Sequence, residues 1–226
     1  MSKANRLVKN TYTAVLLGVF FLSATVASAS ESAVQQTIVI HDQYGAPVKD
    51  AFVAIPSGEI TTPNSSQAVM DQVDVQFVPK VLAVEVGQEA LFPNSDNIRH
   101  HVYSFSEPKR FELKLYEGVP KSPVLFDKPG LVVLGCNIHD SMLGYIFVSP
   151  WPVYAVSNEK GEVALTRDGT TSNVAVWHPW MKAATEPVFL ELGNNVQTTE
   201  TTVISIDINK PAPKRSFNRL RERDDY

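Results

Sequence analysis

From residue 37 to residue 208 the chain is broken into short apolar runs with a period of two. No stretch sustains the 3.6-residue apolar period of a long amphipathic helix. Val73–Phe77 and Leu82–Val86 alternate apolar and polar residues, as half-buried strands do. Thr37–Ile40, Ala51–Ile55, His101–Phe105, Val124–Phe126, Leu131–Leu134 and Tyr145–Val148 are apolar and rich in β-formers, and Phe111, Leu113 and Leu115 share one face. Turn signals separate them: Asp42–Pro47, the Pro/Gly/Ser/Thr/Asn-rich stretch 56–67, Pro93–Asn97 and Asp127–Gly130. Strands this short at this spacing predict a β-sandwich. A single turn at Val119–Ser122 is the one helical feature the sequence allows. Beyond Trp151-Pro152, runs at Tyr154–Val156, Gly161–Leu165, Val174–Trp177 and Val203–Ile208 form a second group of strands.

The N-terminus reads as a secretory leader spanning residues 1–29. Lys3, Arg6 and Lys9 precede an apolar stretch, Ala14–Val26, and Ala27-Ser28-Ala29 is a signal-peptidase pattern. The apolar stretch is shorter than the roughly 20 residues of a membrane span, and no later segment is long and apolar enough to cross. A periplasmic protein that does not span the membrane is therefore expected. The formal net charge is −4, and loss of the three leader cations makes the remainder more acidic. Such a balance disfavours nucleic acid as a partner, because phosphate binding needs a basic surface. Residues 210–226, with two prolines and many charges, are expected to be disordered.

Cys136 is the one cysteine in the sequence. Exported proteins meet an oxidising environment in which cysteines pair. An unpaired thiol there is a buried small hydrophobe, a partner for another chain, or a metal ligand. Its neighbours favour the last: Cys136, His139 and Met142 put a thiolate, an imidazole and a thioether within seven residues. Two imidazoles and a thiolate in a plane, with a weak axial methionine, form the blue-copper electron-transfer site. Structural zinc prefers several cysteines and rarely takes methionine. The second imidazole is offered by His100 or His101, directly after the Asn94–Asn97 turn. Adjacent strand residues face opposite sides, so one of the two reaches the metal. Met142 is either the axial ligand or a core residue. His41 and His178 have no cysteine, methionine or histidine close in sequence and read as structural or surface histidines. Trp177, Pro179 and Trp180 read as core packing.

Between Val69 and Ser149 the sequence resembles the cupredoxins, the plastocyanin and amicyanin family of small blue copper proteins. The resemblance rests on Val86-Gly87, Asn94, His100-His101-Val102 and the Cys136-Asn-Ile-His139-Asp-Ser-Met142 loop, in the family's order and separation. Val102–Ser106, Phe126–Gly130 and Gly135–His139 are also similar to plastocyanin-like proteins associated with bacterial methylamine utilisation. The resemblance implies a Greek-key β-sandwich over residues 69–149. It also implies one type 1 copper ion held by His100, Cys136, His139 and Met142, with His101 as the alternative to His100. His101 stands where the family usually has asparagine, which ties the two ligand loops together; a ring N–H of His101 is expected to take that role. The implied activity is single-electron transfer between redox partners that dock near His139, by a monomer that is not an enzyme. Copper storage or delivery is the alternative. Residues 36–62 and 151–209 look like strands of a transthyretin-like accessory sandwich into which the copper module is inserted; the alternative is that the first hairpin extends the cupredoxin sheet.

Overall fold

The computed structural model describes residues 34–167, 171–182, 185–192 and 201–210. The expected leader at 1–29 and the expected disorder of the tail beyond Lys210 fall outside these residues. Every regular element among the described residues is a strand, so the chain is all-β. No helix there is long and apolar enough to cross a membrane, and 119–122 forms no helical turn.

The strands, in chain order, are β1 (Val34–Asp42), β2 (Phe52–Ala54), β3 (Ala68–Val69), β4 (Asp71–Val73), β5 (Gln76–Val78) and β6 (Val81–Glu85). Next come β7 (Gln88–Leu91), β8 (His100–Ser104), β9 (Phe111–Tyr116), β10 (Val124–Phe126), β11 (Gly130–Gly135) and β12 (Leu143–Ser149). The last are β13 (Tyr154–Val156), β14 (Glu162–Arg167), β15 (Asn173–Trp177), β16 (Val188–Glu191) and β17 (Thr202–Ile206).

They form four stacked sheets and a hairpin. A terminal sheet has the order β14-β1-β17, a bridging sheet β13-β2-β15-β16, a ligand sheet β6-β12-β11-β8-β9 and a cover sheet β10-β7-β3; β4 and β5 pair as the hairpin. Side-chain parity explains the stacking. Val53, Val174 and Val176 of the bridging sheet meet Ile38, Ile40, Val163 and Ile204 of the terminal sheet. Their sequence neighbours Phe52, Ala54, Ala175 and Trp177 point the other way, onto Val81 and Phe147 of the ligand sheet. The bridging sheet is thus buried on both faces, which is why Ala51–Ile55 and Val174–Trp177 are continuous apolar runs. On the far face of the ligand sheet, Val84, Val102, Val132, Leu134, Ile146 and Val148 close a third core with Ala90, Phe92 and Phe126.

The chain leaves the bridging sheet at Ile55 and returns at Val153, where the Ile55 N–H donates to the Val153 carbonyl at 2.9 Å. Everything between those two residues builds the ligand and cover sheets and the hairpin. The chain switches between these two sheets before β7, β8, β10 and β11, as in a Greek-key sandwich.

Val73–Phe77 is not one strand. It is the β4–β5 hairpin, because Asp74 and Val75 both take left-handed backbone, with φ of 52° and 58°.

Candidate metal centre

Cys136 leaves the end of β11 with the parity of Val132 and Leu134, so its side chain enters the core of the ligand and cover sheets. Gly135 pairs with Leu143 on β12 and with Tyr103 on β8. The first pairing closes residues 136–142 into a short loop. The second brings Cys136 beside the His100–Val102 end of β8. Within the loop, the His139 N–H donates to the Cys136 carbonyl at 3.4 Å and the Met142 N–H to the His139 carbonyl at 2.8 Å. These bonds curl the chain so that His139 turns back over Cys136.

The result is a donor cluster. Cys136 Sγ lies 3.8 Å from His100 Nδ1 and 3.8 Å from His139 Nδ1. The three ligand atoms all lie within 4.8 Å of one another, and the two imidazole centroids are 5.1 Å apart. Metal–nitrogen bonds of about 2.0–2.1 Å and a metal–thiolate bond of about 2.3 Å, opened to 120°, separate nitrogen from sulfur by about 3.8 Å. The cluster therefore has the dimensions of a trigonal metal site. His100 is 0% exposed, Cys136 3% and Met142 1%, while His139 is half-buried. Met142 belongs to the same buried cluster as Cys136, and the two line one cavity with Gly135 and Leu143. One thiolate, two imidazoles and a thioether make a soft, nitrogen–sulfur donor set that fits copper better than magnesium, calcium or structural zinc.

His100, not His101, is the histidine beside Cys136. His101 faces the opposite side of β8, where its Nε2 lies 2.8 Å from Glu112 Oε1 and its ring lies tilted against Tyr103 with centroids 5.5 Å apart. Its buried Nδ1 has no hydrogen-bond partner. The expected tie between ligand loops through a His101 ring N–H is therefore absent.

Asn94 fixes the approach to His100. Its amide Nδ2 donates to the carbonyls of Ile98 and Tyr116, both at 2.9 Å, and its Oδ1 accepts the Asp96 N–H at 3.1 Å. Behind it, the Gln72 amide and the Tyr116 hydroxyl both donate to the Phe92 carbonyl, and Gln72 Nε2 lies 2.6 Å from Tyr116 Oη. Burial pushes the Tyr116 phenol up to about 12, against the hydrogen bond from Gln72, which lowers it.

Asp96 is the site residue that sequence reasoning missed. Its Oδ2 lies 2.7 Å from His100 Nε2. Burial works against its charged form, but hydrogen bonds from the Val75 N–H, His100 and the Asp74 N–H outweigh that and hold the carboxyl below its ordinary value. The available signal was a carboxylate four residues before a candidate ligand, inside a turn.

His41 and His178 do not join a donor cluster with the metal group. His178 is buried, donates to the Lys49 carbonyl and accepts the Trp180 N–H at 3.2 Å. Trp177 is fully buried and Trp180 packs partly buried against the terminal core.

No protein-family model matches the chain, and no curated protein sequence matches it significantly. Among solved structures, similarity is found to a copper-containing nitrite reductase from Thermus scotoductus. That match has 24% identity and a TM-score of 0.35, covering 50% of this chain and 28% of that one. A purple cupredoxin from Nitrosopumilus maritimus matches at 19% identity and a TM-score of 0.33, over 38% of this chain and 100% of its own. An oxidised amicyanin variant matches at 17% identity and a TM-score of 0.33, over 43% of this chain and 98% of its own.

Proposed function

We propose that the protein is an exported, periplasmic carrier of single electrons that uses one type 1 copper ion. The observation that carries this reading is the convergence of His100 Nδ1, Cys136 Sγ and His139 Nδ1, with buried Met142 on the same loop. His100, Cys136, His139 and Met142 would hold the ion through two imidazoles, a thiolate and a thioether. When bound, copper supplies a one-electron couple that cycles between its cuprous and cupric states.

The protein's own residues do the rest. The buried position of His100, Cys136 and Met142 excludes bulk water from three of the four donors. His139 is the donor that reaches the surface, flanked by Ile138 at 49% and Leu143 at 41% exposure. Redox donor and acceptor proteins would dock on this apolar rim, with the imidazole edge as the shortest way in and out. A full set of protein donors leaves no open position for a substrate, unlike a catalytic metal site. That favours a carrier over an oxidase or a reductase. The acidic balance of the chain disfavours nucleic acid, and a monomer suits transient docking. The single cysteine needs no disulfide partner if the metal occupies it.

Copper storage or delivery is the rival reading, since it can draw on the same donors. A visible spectrum of the protein with one equivalent of cupric ion separates the two. An intense thiolate-to-copper band that bleaches on reduction, returns on oxidation and is missing from Cys136→Ser is the expected result. A colourless protein that binds only cuprous ion would favour delivery, and no copper binding would overturn both readings.

A further inference from the structure

His100 is fully buried, and a neutral imidazole carries one proton on either of two nitrogens. Which nitrogen faces Cys136 as a bare lone pair is set by what the other one meets. It meets Asp96, whose side chain is 12% exposed and whose Oδ2 lies 2.7 Å from Nε2. An ionised carboxylate only accepts hydrogen bonds. Nε2 must then carry the proton, and Nδ1 presents its lone pair to the donor cluster 3.8 Å from Cys136 Sγ.

The carboxylate is itself locked. Its Oδ1 accepts the Asp74 N–H at 2.7 Å, and its Oδ2 accepts the Val75 N–H at 2.9 Å as well as facing His100. The Asp96 N–H is held by Asn94 Oδ1 at 3.1 Å. Rotating the carboxylate away from His100 would release two backbone donors of a turn whose residues sit at positive φ. A β-branched residue such as Val75 resists that conformation. Val75 and Asp74 also border one cavity with Ser141, Met142 and Leu143 of the ligand loop. One carboxylate therefore ties the ligand strand to the hairpin that lies against the ligand loop.

We propose that Asp96 is a positioning residue that fixes His100 as the Nε2–H tautomer and aims Nδ1 at the metal. The purpose of that aim rests on the copper reading; the tautomer does not. Carboxylate–imidazole–metal relays raise ligand basicity and hold ring orientation, and losing the outer partner weakens metal binding about 10–100-fold.

The decisive measurement is nitrogen-15 NMR of the histidine rings in the metal-free protein, in a buffer alkaline enough to keep the rings neutral. A protonated Nε2 and a bare Nδ1 on His100 are expected. A protonated Nδ1 overturns the proposal, and needs no variant to be seen. In Asp96→Ala the acceptor facing Nε2 is gone, so the proton is no longer held there and a population protonated on Nδ1 is expected. With copper bound, this variant is expected to lose about tenfold or more in cupric affinity, with a raised reduction potential because a negative charge beside the site is gone. Asp71→Asn is the control. Asp71 caps the same loop through the Ser95 N–H at 3.2 Å and the Ser95 hydroxyl at 2.7 Å, and none of its hydrogen bonds goes to His100. It is expected to change neither tautomer nor affinity. Equal effects from the two variants would reduce Asp96 to a loop cap. If the wild-type protein bound no copper, the copper reading would fall while the tautomer still decided the role of Asp96.

Discussion

Trp177→Ala tests whether the bridging sheet and the ligand sheet unfold as one body. Trp177 is 0% exposed. Its ring centroid lies 5.7 Å from those of both Phe147 and Tyr145 on β12, while Phe52 stacks on Phe147 at 4.0 Å with 19° between the planes. A buried tryptophan removes roughly 200 Å² from water, worth about 5 kcal/mol at 25 cal/mol per Å². Measured truncations of buried Phe and Trp cost about 3–5 kcal/mol, so the two approaches agree. For a chain of this size each kcal/mol lowers the melting temperature by about 2–4 °C, so a drop of roughly 6–20 °C is expected. The assay is thermal unfolding of protein supplied with copper, followed by the thiolate-to-copper (blue) band that the proposed site would give and by near-ultraviolet circular dichroism. Both probes should move together, and the position of the blue band should not change, because Trp177 packs on the face of the ligand sheet away from Cys136. A loss under about 1 kcal/mol, or a blue-band transition that stays put while the dichroism shifts, would refute the idea that the two sandwiches share one cooperative core.

Four further outcomes follow from local geometry. At Gly161, φ is +75° and an added Cβ would come 2.4 Å from the Ile40 carbonyl oxygen; Gly161→Ala should cost at least about 2 kcal/mol in a urea titration. Gly45→Ala should cost about half that, since φ is +81° there but nothing lies within 4 Å. His178 is held neutral by burial, which lowers it from 6.5 to about 4. The unfolded chain therefore binds one more proton between those values. Stability is full above pH 6.5 and should fall by roughly 3 kcal/mol as the pH drops to about 4; His178→Gln should flatten that limb of the stability–pH curve, and an unchanged slope would rule the assignment out. Leu143→Glu, on the rim beside His139, should slow electron exchange with a redox partner at unchanged colour, and equal stopped-flow rates would show that docking occurs elsewhere.

Much of this was readable before any coordinates. Period-two runs and turn clusters gave the all-β class and most strand positions, because a strand's side-chain parity is written directly in its residues. The loop from Cys136 to Met142 was equally plain, since its spacing is local. Three features were not. Ala51–Ile55 and Val174–Trp177 read as strands, but that both faces are covered appears only when the bridging sheet lies between two others. Val73–Phe77 alternates like one strand, yet Asp74 and Val75 turn back where the Asp96 carboxylate, distant in sequence, caps both N–H groups. Asp74 tolerates left-handed backbone, but a β-branched residue such as Val75 argues against a turn, so the pair does not announce one. The strand Val188–Glu191 was also missed. Its pairing with β15 covers a sheet edge that has meaning only in the assembled fold.

The choice between carrying electrons and delivering copper turns on how the donors are held. A delivery site must open to hand over its ion, so its ligands belong on segments that can separate. Here His100 sits on β8, and Cys136 follows directly on β11, the neighbouring strand of the same sheet. Met142 immediately precedes Leu143, whose pairing with Gly135 closes the loop. The Lys80 ammonium donates to the Leu143 carbonyl and lies 5.7 Å from the Tyr145 ring, which fastens that closure to the face covered by the bridging sheet. Cys136 and Met142 directly flank the last β11–β12 pair, Gly135 with Leu143, so displacing either strains the end of that ladder, and displacing His100 would break its contact with Asp96. Only His139 stands clear of both, and a single imidazole at the rim can face a partner without dismantling the site. A donor frame fixed by sheet hydrogen bonds resists rearrangement when the charge of its ion changes, and that is the property an electron carrier needs and a delivery protein must avoid.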